Sequence, residues 1–333
     1  MRAVSSEKRL ILPLLRSGAT HIFATGFEER CLAYPRWLYE NCPNIGKQRF
    51  LCVESKDRMV SDYLLDRQQR HRRQLQELFA STQFVQPDQL KSTLDAAIGQ
   101  PAAPVFIDIS SLPRRYIFRL GDLTMSLARN NRRVFLVYTY PMHYHAGPLQ
   151  RPSGEFDTFP SEQDQCFDTP RLLLIPGFDV EYADLVVCYA RARWANDFSI
   201  TWLFPFVRRY EFYERALEAH LHLVHPDSYR LISQDVIGLC VRQLGSCIQE
   251  DQRPIVVWPL GPRIVCASVS LALRLVRARQ PERPMVIVAP RTARYDSLRS
   301  ADAEEPLVEE IGVYLARAQE GGNAAGGTVL GQI

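Results

Sequence analysis

One short pattern is written twice along this chain, and that repetition limits the fold more than any other feature. An apolar run of strand length, Val105-Phe106-Ile107-Asp108-Ile109, opens into Ser110-Ser111-Leu112-Pro113-Arg114. An amphipathic stretch follows, then a second apolar run, Val134-Phe135-Leu136-Val137-Tyr138, which closes at Pro141. Downstream, Ile255-Val256-Val257-Trp258 opens into Pro259-Leu260-Gly261-Pro262-Arg263, and the sequel is the same: an amphipathic stretch, then Met285-Val286-Ile287-Val288, closing at Pro290. The interval from the Pro-Arg pair to the closing proline is identical in both copies. A strand, a helix and a second strand in that order make a parallel pair with a crossover helix. Two copies of such a unit predict a duplicated α/β protein.

The surrounding periodicity extends the pattern. Strands are expected at about 20–26, 48–54, 104–109 and 132–139, and helices at about 28–41, 57–81, 87–98 and 113–130. From 142 to 170 a stretch punctuated by Gly147, Pro148, Pro152, Gly154, Pro160 and Pro170 reads as an irregular connection. Alternation resumes with a strand at Leu185-Val186-Val187-Cys188, a helix near 190–197, a strand at 200–204 and helices at 209–224 and 233–250, before the second copy of the repeat. A helix over 305–319 closes the fold, and the glycines from Gly321 to Gly327 mark a tail. Both halves thus run strand, helix, strand, helix, helix, strand, helix, strand. The expected architecture is α/β: two tandem Rossmann-like parallel-sheet units from an internal duplication, related by a pseudo-two-fold. The first unit takes 1–141 and the second 181–298. An irregular connection over 142–180 joins them, with a C-terminal helix at 299–320 and a flexible tail at 321–333.

Length and composition admit this plan. The 333 residues suffice for two cores, and 46% hydrophobic with 23% charged residues is ordinary for a globular protein. No apolar run reaches the roughly 20 residues needed to span a bilayer. The start, Met1-Arg2-Ala3-Val4-Ser5-Ser6-Glu7-Lys8, has no signal-peptide pattern, so a cytoplasmic location is expected. The eight cysteines are scattered without a C-x-x-C spacing, so no metal and no disulfide framework is expected. A net charge of +3 excludes a polycation, yet Arg67, Arg70, Arg72 and Arg73 crowd one turn and a half of an expected helix. That run is either a solvated helix face or a contact for nucleic acid or an acidic partner.

Open parallel sheets bind ligands beyond the carboxyl ends of their strands. The residues that follow each strand are therefore the candidates. Thr25 and Gly26 follow the first strand, with Glu28 and Glu29 behind them; Glu54 follows the second; Asp108, Ser110, Ser111 and Arg114 follow the third. In the second half Gly261 and Arg263 take the corresponding place. Pro113 suits a first helical turn, and serine caps, free N–H groups and Arg114 together compose an anion site; the alternative is a plainly capped helix start. Glu54 stands where nucleotide-binding folds put the acid that holds ribose hydroxyls, but Ala24-Thr25-Gly26-Phe27 lacks the three-glycine fingerprint, and no dinucleotide cofactor is expected. Glu54-Ser55-Lys56 has the E-x-K spacing of a restriction-type nuclease, with Glu28 or Glu29 as the only upstream acid. Asp108, behind three apolar residues, is either bonded to its own loop or works on a ligand. His143 and His145 flank Tyr144 with no third metal ligand in view.

The duplicated strand-to-helix turn, Asp108 to Arg114 and Trp258 to Arg263, with the arginines behind it, resembles the tandem Rossmann-like nucleotide-sensing modules of prokaryotic antiviral systems, the CARF and SAVED type. The resemblance implies a cyclic nucleotide or oligonucleotide ligand. Such sensors usually carry an effector domain, so it also implies an effector on another polypeptide.

Three functions follow as expectations. The first is a module that binds a nucleotide or other phosphorylated small molecule through Thr25, Gly26, Ser110, Ser111, Arg114, Gly261 and Arg263, with no cofactor. The second is an enzyme acting on a nucleotide, by glycosyl transfer or hydrolysis, with Asp108, Glu54 or Glu28 as the working carboxylate. The third is a subunit of a protein or protein–nucleic acid complex, using Arg67 to Arg73 and the apolar residues Trp194, Trp202 and Phe206.

Overall fold

The computed structural model describes residues 11–42, 44–54, 61–86, 89–90, 92–93, 103–144, 150–159, 167–177, 180–194, 197–206, 218, 220, 229–233, 236–295, 300–301 and 303–311. Among them the chain forms two compact units. The first gathers the residues up to Tyr116, those from Asp122 to Gln150, and those from Arg294 onward; the second gathers Ile117–Gly121 and Arg151–Ala293. The architecture is α/β, with one mostly parallel sheet of six strands in each unit.

In the first unit β1 (Thr20–Ala24), β2 (Arg49–Val53), β3 (Gln83–Val85), β4 (Val105–Asp108) and β5 (Val134–Tyr138) are all parallel. Read across the sheet they stand third, second, first, fourth, fifth. That is the doubly wound order, with its switch point between β1 and β4. Four of these strands, β1, β2, β4 and β5, are almost wholly buried apolar runs, as strands covered on both faces must be. Its helices include α1 (Ala33–Asn41), α2 (Asp62–Leu78), a single turn α3 (Arg114–Ile117) and α4 (Leu120–Arg129). After β5 come β6 (His143–Tyr144) and β7 (Gln150–Phe159).

The second unit repeats the order. Its first strand is β8 (Arg171–Ile175), followed by α5 (Val180–Trp194), β9 (Ser199–Phe206), β10 (Tyr229–Ser233), α6 (Ile237–Gln249), β11 (Ile255–Pro259), α7 (Arg263–Arg279) and β12 (Met285–Tyr295). Across the sheet, β10, β9, β8, β11 and β12 again stand third, second, first, fourth, fifth. Two short strands, β13 (Ser300–Ala301) and β14 (Leu307–Glu310), end the described chain. The registers align as well: Thr20 lies level with Val105 in the first sheet, and Arg171 lies level with Ile255 in the second. The duplication expected from the repeat is therefore present in strand order and in register.

Several sequence expectations are corrected. The run Leu185–Cys188 is the middle of α5, not a strand. Tyr182, Ala183, Val186, Val187 and Ala190 are buried, at the three-to-four-residue spacing of a helix face. The true first strand of the second unit, β8, was hidden in the supposed irregular connection, where Pro170 and Pro176 bracket Leu172-Leu173-Leu174-Ile175. β7 lies there too, and its Pro152 fits an edge strand, where a missing N–H is tolerated. The adjacent helices read in each half conceal a third strand, β3 and β10, each an edge with little apolar burial to betray it. The helix expected over 113–130 is broken into α3 and α4. In place of a helix, residues 307–310 form β14, antiparallel to β5. The helices expected at 87–98 and 209–224 fall mostly outside the described residues, as do Ser55, Lys56, His145 and the tail.

Candidate functional site

The carboxyl end of the first sheet collects nearly every polar candidate, and the chain there is heavily tied. The loop leaving β1 presents three consecutive carbonyls to α2, and each accepts a side-chain hydrogen bond. Gln68 Nε2 donates to Thr25 O at 3.1 Å, His71 Nδ1 to Gly26 O at 2.8 Å, and Arg67 Nε to Phe27 O at 3.1 Å. These residues sit at i, i+1 and i+4 of the helix, so one face meets one loop. His71 is nearly buried, and its Nε2 lies 3.2 Å from Glu29 Oε2. Burial lowers the His71 pKa, against the opposite pull of the Gly26 carbonyl and Glu29. Burial pushes Glu29 up, but Arg36 and His71 beside it outweigh that and leave it below the usual carboxylate range.

Cys31 lies 3.3 Å from His71 Nδ1, which invites comparison with a cysteine–histidine dyad. The geometry argues otherwise. The Gly26 carbonyl can only accept, so His71 Nδ1 carries the proton and cannot take one from the thiol. Cys31 is fully buried, and burial pushes its thiol up to about 12. A thiol that far from ionising is no nucleophile at neutral pH.

The three carboxylates expected to do chemistry each have a protein partner. Glu28 is buried against Arg30, whose Nε and Nη2 donate to Glu28 Oε2 at 2.8 and 2.6 Å. Arg30 Nη1 reaches the Tyr138 hydroxyl at the end of β5, at 3.4 Å. Glu54 pairs with Arg72 Nη1 at 2.9 Å, and the Arg72 guanidinium lies over the Phe84 ring. Asp108 Oδ1 accepts the Ser110 N–H at 2.9 Å and the Ser110 hydroxyl as well, an Asx-turn that closes the loop after β4. Ser110 Oγ in turn accepts the Thr139 N–H at 2.8 Å, so Ser110 is a fully buried rivet between the β4 and β5 loops. Of the two open readings of Asp108, the loop-bonded one describes the contacts seen.

Ser111 is different. Its side chain is buried, 9% of the residue exposed, and its Oγ has no hydrogen-bond partner among the described residues. It faces Gly26 across the switch point: a Cβ built on Gly26 would stand 2.9 Å from Ser111 Cβ and 3.0 Å from its Oγ. Glycine is required there by that approach. Thr139 Oγ1, also fully buried, likewise has no partner. Each such hydroxyl costs about 1–3 kcal/mol when withdrawn from water unpaired. Arg114, at the start of α3, is half-buried.

In the second unit the equivalent crevice is sealed. Gly177, six residues beyond Arg171 as Gly26 is six beyond Thr20, packs where a Cβ would stand 2.5 Å from Leu260 O. Leu260 N donates to Ile175 O at 2.8 Å, so backbone zips the two loops together. Gly261 packs against Ile175 and the two prolines Pro176 and Pro205. Arg263 begins α7 and is half-buried. Thr25, Gly26, Ser110, Ser111 and Arg114 thus belong to one unit and Gly261 and Arg263 to the other.

The arginine run divides by face. Arg67, half-buried, turns toward the loop and Arg72, though exposed, reaches Glu54, while Arg70 and Arg73 are exposed as well. The latter pair stands four residues from Asp66 and Glu77 respectively, a mixed-charge helix face. Trp202 is buried in the second core rather than presented at the surface, and Trp194 and Phe206 are half-buried. Sequence reasoning missed Gln68 and His71. Their signal was the i, i+1, i+4 spacing with Arg67, which a count of charges overlooks. Among the described residues no group of histidine, cysteine and acidic side chains is arranged to hold a metal, and no helix is long and apolar enough to cross a membrane.

No protein-family model matches the chain. No curated protein matches it either. A solved structure, the cytoplasmic domain of a prokaryotic cation chloride cotransporter, aligns over 82% of this chain and 95% of its own, at 11% identity and a TM-score of 0.26. A likeness that loose carries no argument about function.

Proposed function

We propose that this chain is a binding module, not a catalyst, and that its first unit holds a nucleotide or other phosphorylated small molecule at the switch point between β1 and β4. The observation that carries the reading is the Ser111 hydroxyl, buried at that switch point with no partner among the described residues, beneath a loop that α2 pins by three carbonyls in succession. A hydroxyl left unpaired at the crest, as Thr139 Oγ1 is too, is a place where a ligand gains a hydrogen bond that the free protein lacks. Arg114 supplies the charge for an anionic group, and the backbone around Gly26 allows close approach. Paired carboxylates favour binding over turnover: Glu28, Glu54 and Asp108 are each spoken for by Arg30, Arg72 and Ser110. The resemblance to CARF and SAVED modules suggests a nucleotide signal and an effector on a separate polypeptide.

Titration calorimetry against a panel of mononucleotides, cyclic nucleotides, short oligonucleotides, sugar phosphates and inorganic phosphate tests this. Arg114→Ala removes one charge-assisted contact worth roughly 1.5–3 kcal/mol and should weaken the best binder by about one to two decades. Arg263→Ala, in the other unit, should leave it unchanged. Loss of binding with Arg263→Ala alone would refute the assignment, as would turnover of any panel member that Asp108→Asn abolishes.

A further inference from the structure

The two sheets do not keep their own sixth strands. In each half of the chain the fifth strand is followed by a short strand and then another: β5 leads to β6 and β7, β12 to β13 and β14. If each half folded by itself, β7 would border β5 and β14 would border β12. The reverse is observed: β14 borders β5, and β7 borders β12. The short strands between them, β6 and β13, pair with one another antiparallel, Ser300 opposite Tyr144 and Ala301 opposite His143. Like strands pairing antiparallel, with their successors traded, is what exchange between two copies of one subunit leaves behind.

The traded strands are anchored, not merely adjacent. β14 runs antiparallel to β5 from Leu307 opposite Tyr138 to Glu310 opposite Phe135. It delivers buried Val308 into the core that contains Phe135 and Val137, and buried Ile311 follows, its N–H on Val134 O. Glu310 is gripped by Arg133, whose Nε and Nη2 donate to its two carboxylate oxygens at 2.8 and 2.6 Å. β7 does the same for the second unit, laying Phe156 on Trp258 and Tyr189. Without these strands β5 and β12 would be open edges with unpaired backbone.

We propose that this chain is a strand-exchanged dimer fused into one polypeptide, in which β14, together with the Ile117–Gly121 segment seated in the second unit, holds the two halves of the chain together without need of the covalent link between β6 and β7. The full-length protein with a site-specific protease sequence placed within residues 145–149 tests this after purification and cleavage. The two pieces should co-elute on gel filtration at the mass of the uncut chain and separate only in denaturant. The same cut made in a Val308→Asp chain should lower the denaturant concentration at which the pieces part, because a buried charge unseats β14 and leaves the Ile117–Gly121 segment to hold them. A second cut, placed within 296–299, should leave the C-terminal piece bound through β14, so the idea remains exposed even if the first insertion prevents folding. Pieces that part spontaneously in native buffer after either cut would overturn the proposal. So would pieces of the Val308→Asp chain, cut between β6 and β7, that part at the same denaturant concentration as those of the parent.

Discussion

The two units carry the same strand order and the same glycine in the same register, yet they treat their switch points in opposite ways. In the second unit Gly177 lets the loops close on each other, backbone on backbone, with Leu260 bonded to Ile175 and prolines on either side. In the first unit Gly26 brings the loops just as near, but what it meets is the Ser111 side chain. Register deepens the contrast. Three residues past the level of Val105 stands Asp108; three past Ile255 stands Trp258, packed on Phe156 and Tyr189. One residue past Thr20 is His21; one past Arg171 is Leu172. Duplication supplied two crevices, and the substitutions made one apolar and closed and left the other polar. Fold is shared between the copies; the chemistry of a site resides in a few positions of one of them.

The largest effect should come from filling the two glycine sites. Gly177→Ala drives a Cβ to 2.5 Å from a backbone oxygen, which only backbone movement relieves, and should cost about 3 kcal/mol in urea denaturation. Gly26→Ala meets Ser111 Cβ at 2.9 Å, which only a small backbone shift relieves, and Ser111 Oγ at 3.0 Å, which can turn away; both vanish if the serine is shortened to glycine. It should cost about 1 kcal/mol, and Ser111→Gly in the same chain should restore most of that. Equal costs at the two sites would mean that the crevices are equally closed, and the contrast would fail.

The next effect is a pH dependence confined to the first unit. His21 is fully buried between the Phe50 and Phe106 rings. Its Nδ1 accepts from the Tyr34 hydroxyl at 2.9 Å, and its Nε2 donates to Gln48 Oε1 at 3.1 Å, the only tautomer consistent with Gln48 Nε2 donating to Leu15 O. Burial depresses its pKa to about 4, against the hydrogen bond it donates to Gln48. The unfolded chain therefore binds a proton near pH 6.5 that the folded chain refuses until about 4. Stability is full above 6.5 and falls by about 1.4 kcal/mol per unit as the pH drops below it, some 2 kcal/mol by pH 5. His21→Leu, which installs the residue of the second unit, should lower stability at pH 7.5 by orphaning Tyr34 and Gln48 but flatten this slope. Parallel slopes for the two proteins would remove His21 as the cause.

Much of this fold could be read from the sequence, and the errors have common causes. The Pro-Arg repeat located β4, β5, β11 and β12 because those strands are continuous apolar runs bounded by prolines. β8 is the same kind of run, Leu172 to Ile175, but it was lost because Leu185–Cys188 offered a competing run that long-range packing turned into a helix. β3, β10 and β14 are edges, where polar residues alternate with few apolar ones and pairing, not propensity, decides the strand. The strand exchange could not be read at all, since no residue records which sheet a strand joins. At the site, Gly26, Ser111 and the carboxylates were visible as residues following strands. Their partners were not: Arg30 on Glu28, Arg72 on Glu54 and Ser110 on Asp108 depend on side-chain direction in the finished fold.

The smallest expected change in stability is the most informative about function. Ser111 Oγ makes no hydrogen bond among the described residues, so Ser111→Ala deletes a buried hydroxyl without breaking a bond seen there. Its methyl occupies space the serine Cβ already fills beside Gly26. The variant should unfold within about 0.5 kcal/mol of the parent, or slightly above it, since an unpaired buried polar group costs rather than contributes. Its affinity for the ligand found in the panel should nonetheless fall by about five- to tenfold, the value of one neutral hydrogen bond of roughly 1 kcal/mol or a little more. Ser268→Ala provides the control. Its hydroxyl, buried in α7, is bonded to the Ile264 carbonyl at 2.9 Å, so the change touches the second unit and should leave the ligand indifferent. A Ser111→Ala protein that loses stability while binding normally would mean that the hydroxyl serves the fold, and the first unit's switch point would then be as structural as the second's.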